Sequence, residues 1–382
     1  MNSLFNEKIE RTNTGAIKWD AQPNKEDLPF WIADSDYASA PCVLDALKHV
    51  ASHGVYGYNK IPDEFFDAIK YWYKKRYDSN ILTEWIIPST GVILSIRMLL
   101  DILTKEGDGV ILQTPVYHTF HHVINNNGRV IIENKLIKQN DTYVMNYDNL
   151  ESLFKMGHKV MILCSPHNPV GRIWKEEEIK KVLEIAKKYN AFVIIDEIHS
   201  DLNVTSNKFV SGIDFVNIYD NIVICNAPSK AFNIAGLHTS YLIVPKEEIR
   251  NKINALSEKE FLNSPSVFGY SATIAAYTKG DTWINEQNKH ILNNYKYLKE
   301  FLNENLKDVV VTKLEGTYLV WLDFSYTKLT TDEILEKCKN NGIICSGGVQ
   351  FCKDYESYLR FNIACPFDQL KEGLNRLVKT FK

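Results

Sequence analysis

Cysteine is scarce and ungrouped in this sequence. The 382 residues hold seven, at positions 42, 164, 225, 338, 345, 352 and 365, an odd number without a Cys-x-x-Cys pair. That spacing argues against a disulfide framework or a cysteine zinc site as the basis of the fold. No apolar run approaches the ~20 residues that a bilayer-spanning helix needs. Met1 to Glu7 lacks the apolar core of a signal peptide, so the cytoplasm is the expected compartment. Charge of one sign is missing too: 44 Lys and Arg stand against 47 Asp and Glu, with no basic cluster or charge block. Neither nucleic acid nor a membrane surface is an expected partner. Internal repeats and low-complexity linkers are also absent.

What is present reads as an ordinary folded protein, 45% hydrophobic and 24% charged, long enough for a large core and two domains. Short apolar runs alternate with amphipathic stretches. Gly109 to Leu112, Val130 to Ile132, Val160 to Cys164, Ala191 to Asp196 and Ile222 to Cys225 read as strands. Helical periods begin near Val43 and cover 61–77, 94–100 and 176–189. This alternation predicts an α/β fold with a parallel-rich sheet covered by helices on both faces. Beyond Val244 a long helical segment is expected through about Ala276, then another over 283–306. Short strands at 309–311, 318–322, 343–345 and 359–363, with helices at about 331–341 and 367–381, predict a smaller α+β domain.

Several residues stand where chemistry could be done. Lys230 follows the run Ile222 to Cys225 and lies among small and apolar residues, Ala227, Pro228, Ala231 and Phe232. Desolvation there favours the neutral amine, the form that attacks a carbonyl, although a lone lysine among 44 basic residues is ordinarily a surface group. Asp196 ends one strand, and Asn168 follows another in Ser165-Pro166-His167-Asn168-Pro169. Asn, Asp and Lys thus arrive in order at three strand ends. Gly91, Val92 and Ile93 open a helix whose free N–H groups suit a phosphate, or serve merely as a cap. Tyr117 sits at a strand's carboxyl end, where ligands of open α/β sheets collect. Arg360, within Tyr358-Leu359-Arg360-Phe361-Asn362, can grip a carboxylate with two parallel hydrogen bonds. His118, His121 and His122 lack a fourth partner of metal-ligand spacing, so no metal is expected.

Together, the runs Asp196-Glu197-Ile198-His199-Ser200-Asp201-Leu202 and Ser229-Lys230-Ala231-Phe232-Asn233-Ile234-Ala235-Gly236-Leu237 resemble the fold type I pyridoxal-phosphate enzymes. Within these, they are similar to the branch of cystathionine β-lyases and cysteine C–S lyases. The resemblance covers nearly the whole chain. It implies a mixed, mostly parallel seven-stranded sheet in a cofactor-binding domain of residues 46–279, and a discontinuous small domain of residues 1–45 and 280–382. It implies pyridoxal 5'-phosphate on Lys230, with Asp196 beside the ring nitrogen, Asn168 toward the ring oxygen and Tyr117 stacked on the ring. Gly91, Val92, Ile93, Ser229 and His199 are the other cofactor contacts of the same chain. Tyr58, in Gly54-Val55-Tyr56-Gly57-Tyr58, is implied to reach the phosphate of a neighbouring subunit, which makes a homodimer with shared sites.

Arg360, Ala33, Asn168 and Tyr117 are implied to hold the amino-acid substrate. The chain departs from the pattern at Ser35, where Met is usual, and at Leu94, Cys352 and Phe367. His238 stands where many aminotransferases have an arginine, eight residues after the lysine. The expected reaction is α,β-elimination from cystathionine or cysteine, giving a thiol, pyruvate and ammonia. Aminotransfer uses the same Lys230, Asp196, Asn168 and Arg360 and is the alternative, and a partner-binding regulatory protein is the third.

Overall fold

Valine, isoleucine and leucine runs build the larger of two main sheets in the computed structural model, which describes residues 3–262 and 265–382. Its seven strands are β1 (Ile86–Ser89), β2 (Gly109–Leu112), β3 (Val130–Glu133), β4 (Val160–Cys164), β5 (Phe192–Asp196), β6 (Ile222–Asn226) and β7 (Ser240–Ile243). They lie in the order β1–β7–β6–β5–β4–β2–β3, and β7 alone runs antiparallel to its neighbours. This is the mixed, mostly parallel sheet that the sequence predicts.

Every residue of β4, β5 and β6 is buried. Alternate side chains enter opposite layers: Met161, Leu163, Val193, Ile195 and Ile224 join one cluster, while Val160, Ile162, Ile194 and Val223 join another. A sheet covered on both faces needs apolar groups at successive positions, hence unbroken apolar runs rather than alternation. The helices α1 (Pro41–His53), α2 (Asp63–Tyr77), α3 (Val92–Leu103), α4 (His118–Asn125), α5 (Glu247–Lys259) and α6 (Val267–Lys279) flank it. Ile96 and Leu99 of α3, Phe120 of α4 and Ile253 of α5 close one face. Phe65 and Trp72 of α2 and Tyr277 of α6 close the other.

A second, antiparallel sheet holds β8 (Val310–Val311), β9 (Leu319–Asp323), β10 (Ser346–Gly347) and β11 (Tyr358–Asn362), in the order β8–β9–β11–β10. Its Leu319, Trp321, Leu359 and Phe361 belong to the same apolar cluster as α2 and α6. Ile343–Ile344, expected as a strand of this part, pairs instead in parallel with Leu28–Pro29. The short β7 and the hairpin of Ile137–Gln139 with Thr142–Val144 were not anticipated, being too brief for a periodic signal. The long helix expected after Val244 is two, α5 and α6. Pro265 lacks the donor a continuing helix requires, and the Ser266 hydroxyl caps α6 by accepting from the Gly269 N–H at 3.2 Å. Among the described residues no helix is long and apolar enough to cross a membrane.

The N-terminal segment is fixed by buried charge. Lys18, only 1% exposed, donates to Asp36 at 2.7 Å and to the Asp34 carbonyl at 2.8 Å. Arg11 donates to Asp36 at 2.8 Å and forks onto both oxygens of Asp34 at 3.2 and 2.9 Å. Removing one partner of a buried pair leaves the other uncompensated. Lys18→Met should lower stability in chemical denaturation by about 2 kcal/mol, below the usual 3–5 because Arg11 remains. A loss under ~0.5 kcal/mol, the range of ordinary surface changes, would show that Arg11 alone fixes the segment.

Candidate active site

Strand register decides where the polar residues meet. Cys164 of β4, Asp196 of β5 and Cys225 of β6 are aligned neighbours, so the loops leaving these strands share one edge. Asn168, Asp196, His199, Ser229 and Lys230 there line a cavity of about 220 Å³. Its opposite rim is the start of α3. Gly91 is the N-cap residue and offers no side-chain cap, so the first N–H groups of the helix are free. Gly91, Val92 and Ile93 line the cavity there.

The groups inside are charged or chargeable and lack matching partners. Asp196, 4% exposed, accepts one hydrogen bond, from the Ile198 N–H at 3.0 Å, and forms no ion pair among the described residues. Burial pushes its carboxyl up to about 7, against the lowering effects of the Ile198 bond and Lys230. Burial also holds His199 down to about 3, with Lys230 and Arg360 adding to it, and its Nδ1 has no partner. Lys230 is half-buried, and desolvation of its amine lowers its pKa. Arg360 lowers it further, while Asp34 and Asp196 oppose the shift. The Nζ donates to the Ala33 carbonyl at 2.8 Å.

A second cavity, of about 720 Å³, adjoins the first through Ala33, Tyr117 and Lys230, which line both. Arg360 projects into it from the middle of β11. The residue is 3% exposed, and burial brings its pKa down to about 10. Nη2 donates to the Trp31 carbonyl at 2.6 Å, Nη1 donates to Asn168 Oδ1 at 3.1 Å, and the guanidinium lies 4.8 Å from the Phe351 ring centre. Its Nε is buried without a partner, and no carboxylate pairs with it among the described residues. A cation so placed calls for an anion from outside. Asn168, accepting from Arg360 through Oδ1, keeps its amide N–H groups as donors. Of the candidate residues, only Tyr58 is not brought to the cavities of its own chain: it is fully exposed.

The sequence profile of the aminotransferase class I and II family matches residues 28–377. The chain belongs to that family. Its members in this comparison include cystathionine beta-lyase PatB of Bacillus subtilis, 34% identical over 98% of both sequences. The crystal structure of cystalysin from Treponema denticola, which contains pyridoxal 5'-phosphate, superposes with a TM-score of 0.94 at 32% identity over 98% of both chains. A PLP-bound protein from Clostridium difficile, provisionally described as an aminotransferase, gives 0.95 at 35% identity over 99% of both chains.

Sequence reasoning missed part of the lining of this family member. Thr90, Thr239 and Ser240 border the inner cavity, and Trp31, Ser346 and Gln350 the outer one. The hydroxyl run Thr239-Ser240 after His238 was a readable signal. Trp31 lies in the segment 28–37 that the resemblance places on the substrate-carboxylate side, but its backbone contacts to Arg360 and Ser346 were not readable, because Trp31 and Ser346 meet across 315 residues of sequence.

The raised pKa of Asp196 has a definite sign. Between about 4 and 7 the folded chain keeps a proton that the unfolded chain has lost, so this carboxyl lowers stability as pH rises through 7. In protein stripped of bound ligand, Asp196→Asn should be more stable than the parent at pH 8, by on the order of a few kcal/mol, and nearly equal at pH 4. Buried neutral histidines weaken both proteins alike at low pH. Equal differences at the two pH values, by thermal melting, would contradict the assignment.

Proposed function

We propose that this chain is a pyridoxal-phosphate-dependent carbon–sulfur β-lyase, acting by α,β-elimination on cystathionine or cysteine-type substrates. The observation that carries this reading is a trio of groups around the cavities that form no ion pair among the described residues: Asp196, Lys230 and Arg360. Each fits one part of a cofactor–substrate pair. A buried carboxylate with a raised pKa suits a protonated ring nitrogen, free helix N–H groups and Ser229 suit a phosphate, and Arg360 suits an α-carboxylate. When bound, pyridoxal phosphate withdraws electrons from the substrate α-carbon.

The chain's own residues supply the rest. Asp196 would keep a proton at the ring nitrogen by charge attraction, and Asn168 would donate to the ring oxygen through its free amide N–H groups. Tyr117 offers a flat face at the junction of the two cavities. Arg360 orients the substrate by its carboxylate, so that the α-hydrogen points at the Lys230 amine. That amine would hold the cofactor at rest and, once freed, would remove the α-proton, helped by a lowered pKa that favours its neutral form. The electron pair left at the α-carbon would then expel the β-sulfur as a thiolate, which takes up a proton from the Lys230 ammonium or from water to leave as the thiol. Among the described residues Arg360 is the only arginine lining either cavity, which disfavours a dicarboxylate such as aspartate. PatB, named a cystathionine beta-lyase, supports the same choice.

Cystathionine should therefore yield pyruvate and ammonia with no keto acid added, and Lys230→Ala should lower the rate by at least a thousandfold. Nitrogen loss that requires a keto acid and returns its amino acid in equal amount would assign the chain to aminotransfer instead.

The assembly belongs to the same proposal: a cytoplasmic homodimer, divided within each chain into residues 46–279 and residues 1–45 with 280–382. Val55, Tyr56 and Tyr58 are all exposed, an apolar loop suited to a partner subunit. Tyr58 would reach the neighbouring chain's phosphate. Mixing Lys230→Ala with Tyr58→Ala subunits should restore activity to mixed dimers through one intact site. Confirmed subunit exchange without recovery would remove Tyr58 from the site.

A further inference from the structure

The outer cavity is far larger than a cysteine side chain requires, and at 720 Å³ it falls within the range of pockets that enclose whole small molecules. Beyond Arg360 its wall is α4, which presents His118, His121 and His122, faced by Gln350. These histidines sit at positions i, i+3 and i+4 of one helix, so they share a face. No acidic residue lines the cavity among the described residues. Arg360 and Lys230 are the only arginine and lysine among the lining residues; the α4 wall adds imidazole rings and no carboxylate.

His118 defines what that wall can offer. Its ring is locked edge-on against Phe351 at 5.7 Å and Tyr117 at 5.1 Å. Its Nδ1 is buried without a partner, and it makes no hydrogen bond to the described protein. Leaving a buried N–H unsatisfied costs more than leaving a ring nitrogen lone pair, so the neutral tautomer carries its proton on Nε2. Burial, with Arg360, His122 and His121, holds the ring neutral, down to about 4. Glu133, the carboxylate that acts on His121, is not among the lining residues.

We propose that the histidine-walled end of the outer cavity is the subsite for the sulfur substituent, and that it selects thioethers whose second arm ends in an amino-acid group. An amino-acid end has no net charge but carries one strong acceptor and one strong donor. The neutral rings of His118 and His121 meet both: Nε2–H of His118 donates to the carboxylate, and the free ring nitrogen of His121 with the Gln350 carbonyl accepts from the ammonium. A second arginine would favour a simple dicarboxylate; a wall of leucines would favour an alkyl arm. This inference rests on the carbon–sulfur lyase reading and names the substrate class of the same site.

The test compares cystathionine with S-propyl-L-cysteine, which has the same arm without its amino-acid end. The holoenzyme should prefer cystathionine in kcat/KM, and His118→Phe, similar in size but without the N–H, should cut that preference about tenfold or more, as expected for a hydrogen bond to a charged group. His118→Gln, which keeps a donor, should recover part of it. The second readout is calorimetric binding of both compounds to cofactor-loaded Lys230→Ala, with and without His118→Phe. The same loss of preference should appear there without turnover. A preference that is absent in the parent, or unmoved by His118→Phe in both measurements, overturns the subsite. Pyruvate from neither compound, with the binding preference intact, overturns the elimination reading and leaves the subsite standing.

Discussion

A guanidinium buried without a counter-charge is costly to fold around, and Arg360 imposes that cost on this chain. The surroundings offset it by dipoles rather than by a carboxylate. The Trp31 carbonyl, Asn168 Oδ1 and the Phe351 ring each take part of the positive charge. To supply them the fold must bring three distant stretches together. Residues near 31 are stitched to the C-terminal part by Leu28–Pro29 pairing with Ile343–Ile344, and the loop after β4 brings in Asn168. Asn362, two residues from Arg360, donates to the Ile32 carbonyl at 2.6 Å and the Asp34 carbonyl at 2.8 Å. The charge left uncompensated remains available to a ligand.

Neighbouring acids show how specific this arrangement is. Glu197 is fully buried next to Asp196, and burial pushes it to about 8, yet it accepts from the Ser211 hydroxyl, the Gly212 N–H and the Tyr73 hydroxyl. Asp201 accepts from Trp72 at 3.0 Å and from Tyr77 at 2.6 Å, tying the loop after β5 to α2. Both are satisfied within the protein and serve to hold that loop. Asp196, between the same strands, has one backbone donor and faces the cavity. Hydrogen-bond satisfaction, more than burial, separates Glu197 and Asp201 from the acid that faces the cavity.

Much of this was legible in the sequence. The strands β4, β5 and β6 are short apolar runs, and each delivers a polar residue just past its end. Their parallel register follows from the alternation with helices, so Asn168, Asp196 and Lys230 converge. The partners of Arg360 were not legible, because Trp31 offers only a backbone carbonyl, which every residue has. Position, not side-chain type, makes it useful. The histidines of α4 were visible but were weighed only as metal ligands; nothing local in sequence says that their helix walls a cavity. The loop at Tyr58 remained a pattern without a partner, since one chain gives it nothing to touch.

The stretch from Trp31 to Ala33 carries the acceptors for both active-site cations, the Trp31 carbonyl for Arg360 and the Ala33 carbonyl for Lys230. One short piece of backbone therefore positions the Arg360 guanidinium and the Lys230 amine together. A substitution that shifts it cannot improve one without altering the other. The outer-cavity walls that neither residue touches, α4 among them, are free of that coupling, so a change there leaves the shared backbone as it is.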